Sequence, residues 1–336
     1  MDYKKSAALS AAIILLFFSC NHITSSQYEF ALGTVCSVSL FEYGNNTIYN
    51  NIFFKIREIE NQMSVHIPFS DISRINAAAG IEPVTVNEDV FKVIERAKYF
   101  AEVSGGAFDP TVGPIVSLWG IGSENQRVPS QKEIEETLPL VNWRYLELDA
   151  ETNSVFLKYP NMALDLGAIA KGYAADEASN IAKSAGVKRA SIDLGGNVII
   201  YGIKKDKSPW RVGIQNPGKD RGIILGIINV QDKTVVTSGI YERYFTENEI
   251  HYHHIFDPSN GYPAQNSLIS VTVITDISMD ADALSTAIFV LGFEKGSELL
   301  KDFPQAQAVF IFKDNSIITT PGVNFTITDK TYFLKN

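Results

Sequence analysis

Residues 163–177 read ALDLGAIAKGYAADE, and the reading of the rest of the chain follows from how this stretch is taken. Asp165, Gly167, Lys171 and Gly172 fall where an apolar strand should give way to a helix. A strand-to-helix junction exposes free backbone N–H groups and the positive end of the helix dipole, so it suits a phosphate-bearing ligand. The two glycines remove side chains where something must come close. A tight turn with Asp165 as helix cap is the competing reading, and this stretch alone leaves both open.

Downstream, Ala170, Ala174, Ala178, Ile181, Ala182 and Ala185 form one helical stripe closed by Gly186. A hairpin is expected to turn on Gly195-Gly196, followed by short strands at 210–214, 223–230, 234–237 and 241–245. Residues 268–275 alternate apolar with polar, which predicts a strand, and helices are expected at 279–291 and 294–303. Strands at 309–312, 317–320 and 325–328 should close the sheet.

Upstream, 28–41 reads as one entering strand, with Leu32-Gly33-Thr34 either a kink or a place where backbone nears a ligand. Ile52, Ile56, Ile59 and Met63 mark an amphipathic helix; a loop and a short helical turn follow over 65–76. Asn87 caps a second amphipathic helix that stops at Gly105-Gly106. The segment 107–122 carries too many glycines and prolines for a regular element, a pattern common in functional loops. Ser130 and Glu133 make a capping box. No repeat, low-complexity tract or interdomain linker interrupts the chain, and antiparallel strands with segregated helices predict an α+β fold built as a single unit.

The chain has 336 residues, 45% hydrophobic and 20% charged, which is enough for a large core. A net charge of -9 without a basic cluster argues against nucleic acid and polyanions as partners. Lys4 and Lys5 precede a largely apolar run over 7–18 and then Cys20, which reads as an export signal over 1–20 with a lipidation site at Cys20. An ordinary secretory signal or a buried helix is the alternative. Residues 21–27 would then be a polar tether and 28–336 the functional domain. With Cys20 lipidated, Cys36 has no disulfide partner.

A second acidic focus spans 276–286. Asp282 and Thr286, four apart on a helix, share a face opposite Leu284, Ala287, Ile288 and Leu291. A carboxylate and a hydroxyl there suit a hard cation that also touches phosphate; acids in a helix's first turn are the bland alternative. His251, His253 and His254 lack the spacing of a structural zinc site, and His254, before Asp257-Pro258, suits proton transfer from a loop or is a satisfied surface group. Dinucleotide, P-loop and nucleophile-elbow fingerprints do not occur.

Taken together, Leu32-Gly33-Thr34, Ser73-Arg74-Ile75-Asn76, 106–113, Leu118-Trp119-Gly120, 165–172, 193–196, Thr237-Ser238-Gly239, 254–263 and 279–286 resemble the ApbE family of FAD:protein FMN transferases, in family order over nearly all the mature chain. The resemblance implies a two-lobed catalytic unit with mostly antiparallel sheets, flanking helices and a cleft between lobes. It implies FAD as substrate, Mg²⁺ on the diphosphate, transfer of FMN to a threonine hydroxyl of an acceptor protein such as a redox or respiratory subunit, and release of AMP. By matching position, the backbone carbonyl of Ala168 with Asp282 and Thr286, and Ser285 nearby, would hold the metal. Leu32, His66, Ala107, Phe108, Asp109, Asp165, Lys171 and Ile255 would contact the nucleotide, and His254 would be the general base. The implied location is the periplasmic face of the inner membrane, through a lipid anchor.

Two positions depart from the family's usual pattern. Leu32 replaces a methionine, and Ser64-Val65-His66 replaces Ser-Thr-Tyr, removing an aromatic that would stack on adenine. Family members altered near there cleave FAD to FMN and AMP, so a pyrophosphatase is the alternative activity, and a non-catalytic flavin-binding lipoprotein is the alternative class.

Overall fold

The computed structural model describes residues 26–335; the expected export signal over 1–20 and Cys20 therefore lie outside the described residues. Gln27, expected in the tether, already belongs to the first strand. The helices are α1 Asn46–Met63, α2 Asp71–Ala77, α3 Glu88–Val103, α4 Gly113–Trp119, α5 Gln131–Thr137, α6 Ala170–Ser184 and α7 Ser278–Leu300.

A nine-stranded sheet organises them. Its order is Gln27–Ala31, Thr34–Phe41, Arg189–Leu194, Asn197–Tyr201, Lys233–Gly239, Leu268–Thr275, Gln307–Phe312, Ser316–Thr319 and Phe333–Leu334. Every neighbouring pair is antiparallel except the last. Side chains alternate between faces along each strand, so one strand feeds two cores. Val236, Val273, Ala308 and Phe310 join the helices on one face. Val235, Ile274, Val309 and Ile311 meet a three-stranded sheet on the other, formed by Trp210–Gln215, Ile224–Val230 and Phe325–Ile327.

On the helical face, α6 packs between α1 and α7, and α7 lies along the Lys233–Gly239 and Leu268–Thr275 strands. Burying each Leu, Ile or Phe there contributes about 1.5–3 kcal/mol. This core draws on residues from Ala31 to Phe310. A separate small cluster of Ile115, Trp119, Ile134 and Phe256 ties α4 and α5 to the segment that follows the Ile250–His253 strand.

Several expectations are corrected. Residues 28–41 are two strands that turn at Leu32-Gly33, where both residues take positive φ. Residues 113–119, expected to be irregular, form α4, with proline tolerated in its first turn where amides lack intrahelical partners. The Phe325–Ile327 strand joins the smaller sheet through the Ile224–Val230 strand instead of closing the main one. The expected break between the two C-terminal helices, by contrast, is present: α7 leaves the helical path at Gly292, whose φ is 75°.

The 163–166 stretch is extended but belongs to no sheet. Its one bridge joins Ala163 to Val112. Its polar backbone is satisfied otherwise: Leu164 N and O bond the Asn76 side chain at 2.7 and 3.0 Å, and Asp165 N donates to Pro110 O at 2.8 Å. Those partners replace a strand ladder.

Candidate active site

α6 begins at Ala170, and its N-cap residue Ile169 supplies no side-chain acceptor. The amide of Gly172 instead donates to Asp282 Oδ2 on α7 at 3.0 Å, bridging segments 110 residues apart. The two acidic stretches thus meet. Capping runs both ways, because Asp176 on α6 accepts from Ser278 N and Met279 N at the start of α7, each at 2.9 Å. Burial pushes the Asp176 carboxyl up to about 6.

Gly172 serves this crossing and not a ligand, since a Cβ there would sit 2.3 Å from Ser278 O. Asp165 does not cap the helix; its Oδ1 accepts from Gly167 N at 2.7 Å, folding the turn on itself. Lys171 Nζ donates to Gly167 O at 2.9 Å and lies 3.6 Å from Asp282 Oδ2.

These groups face a cleft of about 630 Å³. Leu32, His66, Ala107, Phe108, Asp109, Asp165, Ala168, Lys171, His254, Ile255, Asp282 and Thr286 all line it. Ser285 does not. Its side chain is fully buried behind the wall, bonded to Ser238 Oγ at 2.8 Å and Asp282 O at 3.0 Å. Ser238 reaches Thr286 Oγ1 at 3.2 Å, so Ser285 braces the cleft-facing hydroxyl through Ser238.

Asp109 also has a structural duty. Its carboxylate accepts from Thr111 N, Thr111 Oγ1 and Trp143 N at 2.8, 2.7 and 3.0 Å, which holds the 107–112 loop. Burial raises its pKa against the pull of those bonds. Leu32 holds a left-handed φ of 54° while its N–H donates to Glu60 Oε1 at 2.8 Å. His66 is exposed at the rim.

The three histidines diverge. His251 Nε2 meets Ile240 O at 3.1 Å and His253 Nε2 meets Ala264 O at 3.0 Å, which makes both of them structural. His254 Nδ1 lies 3.2 Å from Arg243 O, and a carbonyl can only accept, so Nδ1 carries the proton. Burial pushes the His254 pKa down to about 3, with the charge of Arg243 adding to it. The imidazole is therefore neutral at pH 7, with Nε2 left as a lone-pair base.

The donor set fits a hard divalent cation. Asp282, Thr286 and the Ala168 carbonyl offer oxygen alone, and Asp282 Oδ1 has no hydrogen-bond partner among the described residues. Glu60, Asn197 and Arg243 line or brace the cleft and are not singled out by the sequence, which marks Ser238 only as part of Thr237-Ser238-Gly239. Spacing carried no signal for them, because each gains its place through strand pairing or helix packing.

Helix-start amides, oxygen donors and a neutral imidazole in one cleft define a site for nucleotides with reactive phosphates. The chain belongs to the ApbE family, whose sequence model matches residues 32–310. It is 36% identical over 315 residues to the FAD:protein FMN transferase of Treponema pallidum, covering 89% of this chain and 87% of that protein. It is 39% identical over 287 residues to one from Klebsiella pneumoniae, covering 85% and 89%. The structure resembles the ApbE protein of Thermotoga maritima with a TM-score of 0.79 and 36% identity, over 91% and 97% of the two chains. It resembles the flavin transferase ApbE of Vibrio cholerae with a TM-score of 0.78 and 28% identity, over 92% and 99%.

Proposed function

We propose that this chain transfers FMN from FAD to a threonine hydroxyl of a protein acceptor, releasing AMP. The observation that carries the reading is the contact between Asp282 and Gly172, which joins the oxygen donors to the start of α6 in the cleft that also holds His254. The relatives named FAD:protein FMN transferase support it across most of the chain.

His254 Nε2 takes the proton of the acceptor hydroxyl, and the acceptor oxygen bonds to the FMN phosphorus. The bond from that phosphorus to the bridging oxygen breaks, and this oxygen leaves on AMP. Ala168, Asp282 and Thr286 would hold Mg²⁺, which when bound draws charge from the diphosphate. Lys171 and the first amides of α6 orient the phosphates, and Leu32, Ala107, Phe108 and Ile255 shape the nucleotide wall. Ser285 contributes through Ser238. The N-terminal pattern ending at Cys20 supports an exported, lipid-anchored enzyme at the periplasmic face of the inner membrane.

The test is to incubate the full chain with FAD, Mg²⁺ and a purified periplasmic redox subunit, following AMP release and covalent flavin fluorescence on the subunit. Covalent flavin together with AMP supports transfer. AMP with free FMN alone makes the chain an FAD pyrophosphatase, and no AMP makes it a flavin carrier. Radiolabelled palmitate retained by the wild type and lost in Cys20→Ser would support the anchor; an unlabelled wild type would sink it.

A further inference from the structure

Arg243 ends the turn that follows the Lys233–Gly239 strand and directly precedes the Tyr244–Glu247 strand. That strand pairs with Ile250–His253 in a register that sets Tyr244 opposite His253. Arg243 and His254 are therefore the next pair along. The Arg243 carbonyl accepts from His254 N at 3.1 Å and from His254 Nδ1 at 3.2 Å, so the backbone of one residue fixes the imidazole of the other.

The Arg243 side chain lines the same cleft. It runs between two glycine turns: a Cβ on Gly33 would lie 3.3 Å from its Nη2, and a Cβ on Gly122 would lie 3.8 Å from its Cδ. Both glycines have positive φ, 67° and 85°. The bare turns leave room for the arm.

Neighbouring cations are engaged with protein groups: Lys171 with Gly167 O and Asp282, and Arg221 with Glu242 at 3.9 Å. The Arg243 guanidinium has no ion pair or hydrogen bond among the described residues. A planar fork of N–H donors that faces the cleft and engages none of its acids is matched to a phosphate, which it grips in a bidentate fashion.

We infer that Arg243 is a further phosphate-binding residue of this site, taking a phosphate of the flavin nucleotide beside His254. The inference rests on the flavin-nucleotide reading above. As the phosphorus–oxygen bond to AMP breaks, the negative charge arriving on the departing phosphate falls near this guanidinium, whose positive charge offsets it.

The test is calorimetric titration of the full chain in EDTA, so that no metal shares the load, with FAD and with the pairs AMP/adenosine and FMN/riboflavin. Wild type is expected to favour at least one phosphorylated member by about tenfold or more over its dephosphorylated partner. Arg243→Met should reduce that preference to about twofold or less with the dephosphorylated ligand unchanged, and Arg243→Lys should recover part of it. The pair affected shows which phosphate Arg243 holds. FAD binding in wild type with the full phosphate preference retained in Arg243→Met overturns this inference alone. A wild type that binds neither FAD nor any of the four ligands overturns the flavin reading with it.

Discussion

Asp282 Oδ2 on α7 accepts the amide of Gly172 on α6 at 3.0 Å, while Asp176 on α6 accepts the first amides of α7. Each helix caps the other. A cleft-facing carboxylate is thereby fixed by the fold before any ligand arrives, which lowers the cost of ordering it.

The close crossing of these helices depends on a missing side chain. Gly172→Ala would place its Cβ 2.3 Å from Ser278 O, a backbone atom that cannot swing aside. We expect a loss of about 2–3 kcal/mol in urea unfolding together with weakened FAD binding. Wild-type stability in this variant would show that the helices part easily.

Asp282 joins a capping duty to the proposed metal-binding one. Asp282→Asn keeps an oxygen for Gly172 N and should cost less than about 1 kcal/mol, whereas Asp282→Ala should cost about 1–2 kcal/mol. Both should abolish Mg²⁺-stimulated AMP release, and EDTA should bring wild type down to their level. A Mg²⁺ response preserved in Asp282→Asn would remove this carboxylate from the metal site.

The neutral state of His254 has a pH signature. Arg243, Lys171 and His253 all face it with positive or potentially positive charge. With the folded pKa near 3, kcat/KM should show no inflection near pH 6.5, and His254→Ala should lower it by about 10²- to 10⁴-fold. A limb near pH 6.5 that vanishes in His254→Ala would contradict the depressed pKa. Stability follows the same sign. His253 and His254 both have folded pKa values, about 4 and about 3, below the unfolded value of about 6.5. Their contribution is complete above pH 6.5 and drains away as pH falls through about 4 for His253 and about 3 for His254, so urea midpoints should drop over that range.

Asn76 holds the 163–166 stretch through both polar backbone atoms of Leu164. Asn76→Ala leaves that part-buried peptide without partners and should cost about 1–3 kcal/mol while loosening FAD binding. Asn76→Asp keeps the acceptor but loses the donor, so its stability should fall in between. Equal FAD dissociation constants in all three proteins would show that Leu164 needs no such clamp.

Periodicity carried most of the fold. The strand predicted over 268–275 and the apolar stripe of α1 both match the observed elements; the stripe reports a face turned to the core, whereas the strand is buried on both faces between two cores. Hairpin turns at Gly195-Gly196 were legible for the same local reason. Residues 163–166 were not: an apolar stretch looks alike whether its amides enter a sheet or bond to an asparagine side chain. The 107–122 segment failed oppositely, since glycines and prolines that suggest a loop also permit a short helix when its ends carry them.

Sequence by itself determined the α+β class and, through the resemblance of its motifs, the family, and it brought forward Asp165, Lys171, His254, Asp282 and Thr286, all of which line the cleft, because motifs are written in residue type and local order. Tertiary structure alone decided that Gly172 meets Ser278 instead of a ligand, that Ser285 sits behind the wall, and that the Arg243 guanidinium has no partner among the described residues while its carbonyl holds His254. Those facts depend on helix crossing and strand register between segments far apart in the chain, and such distances have no local trace in the sequence.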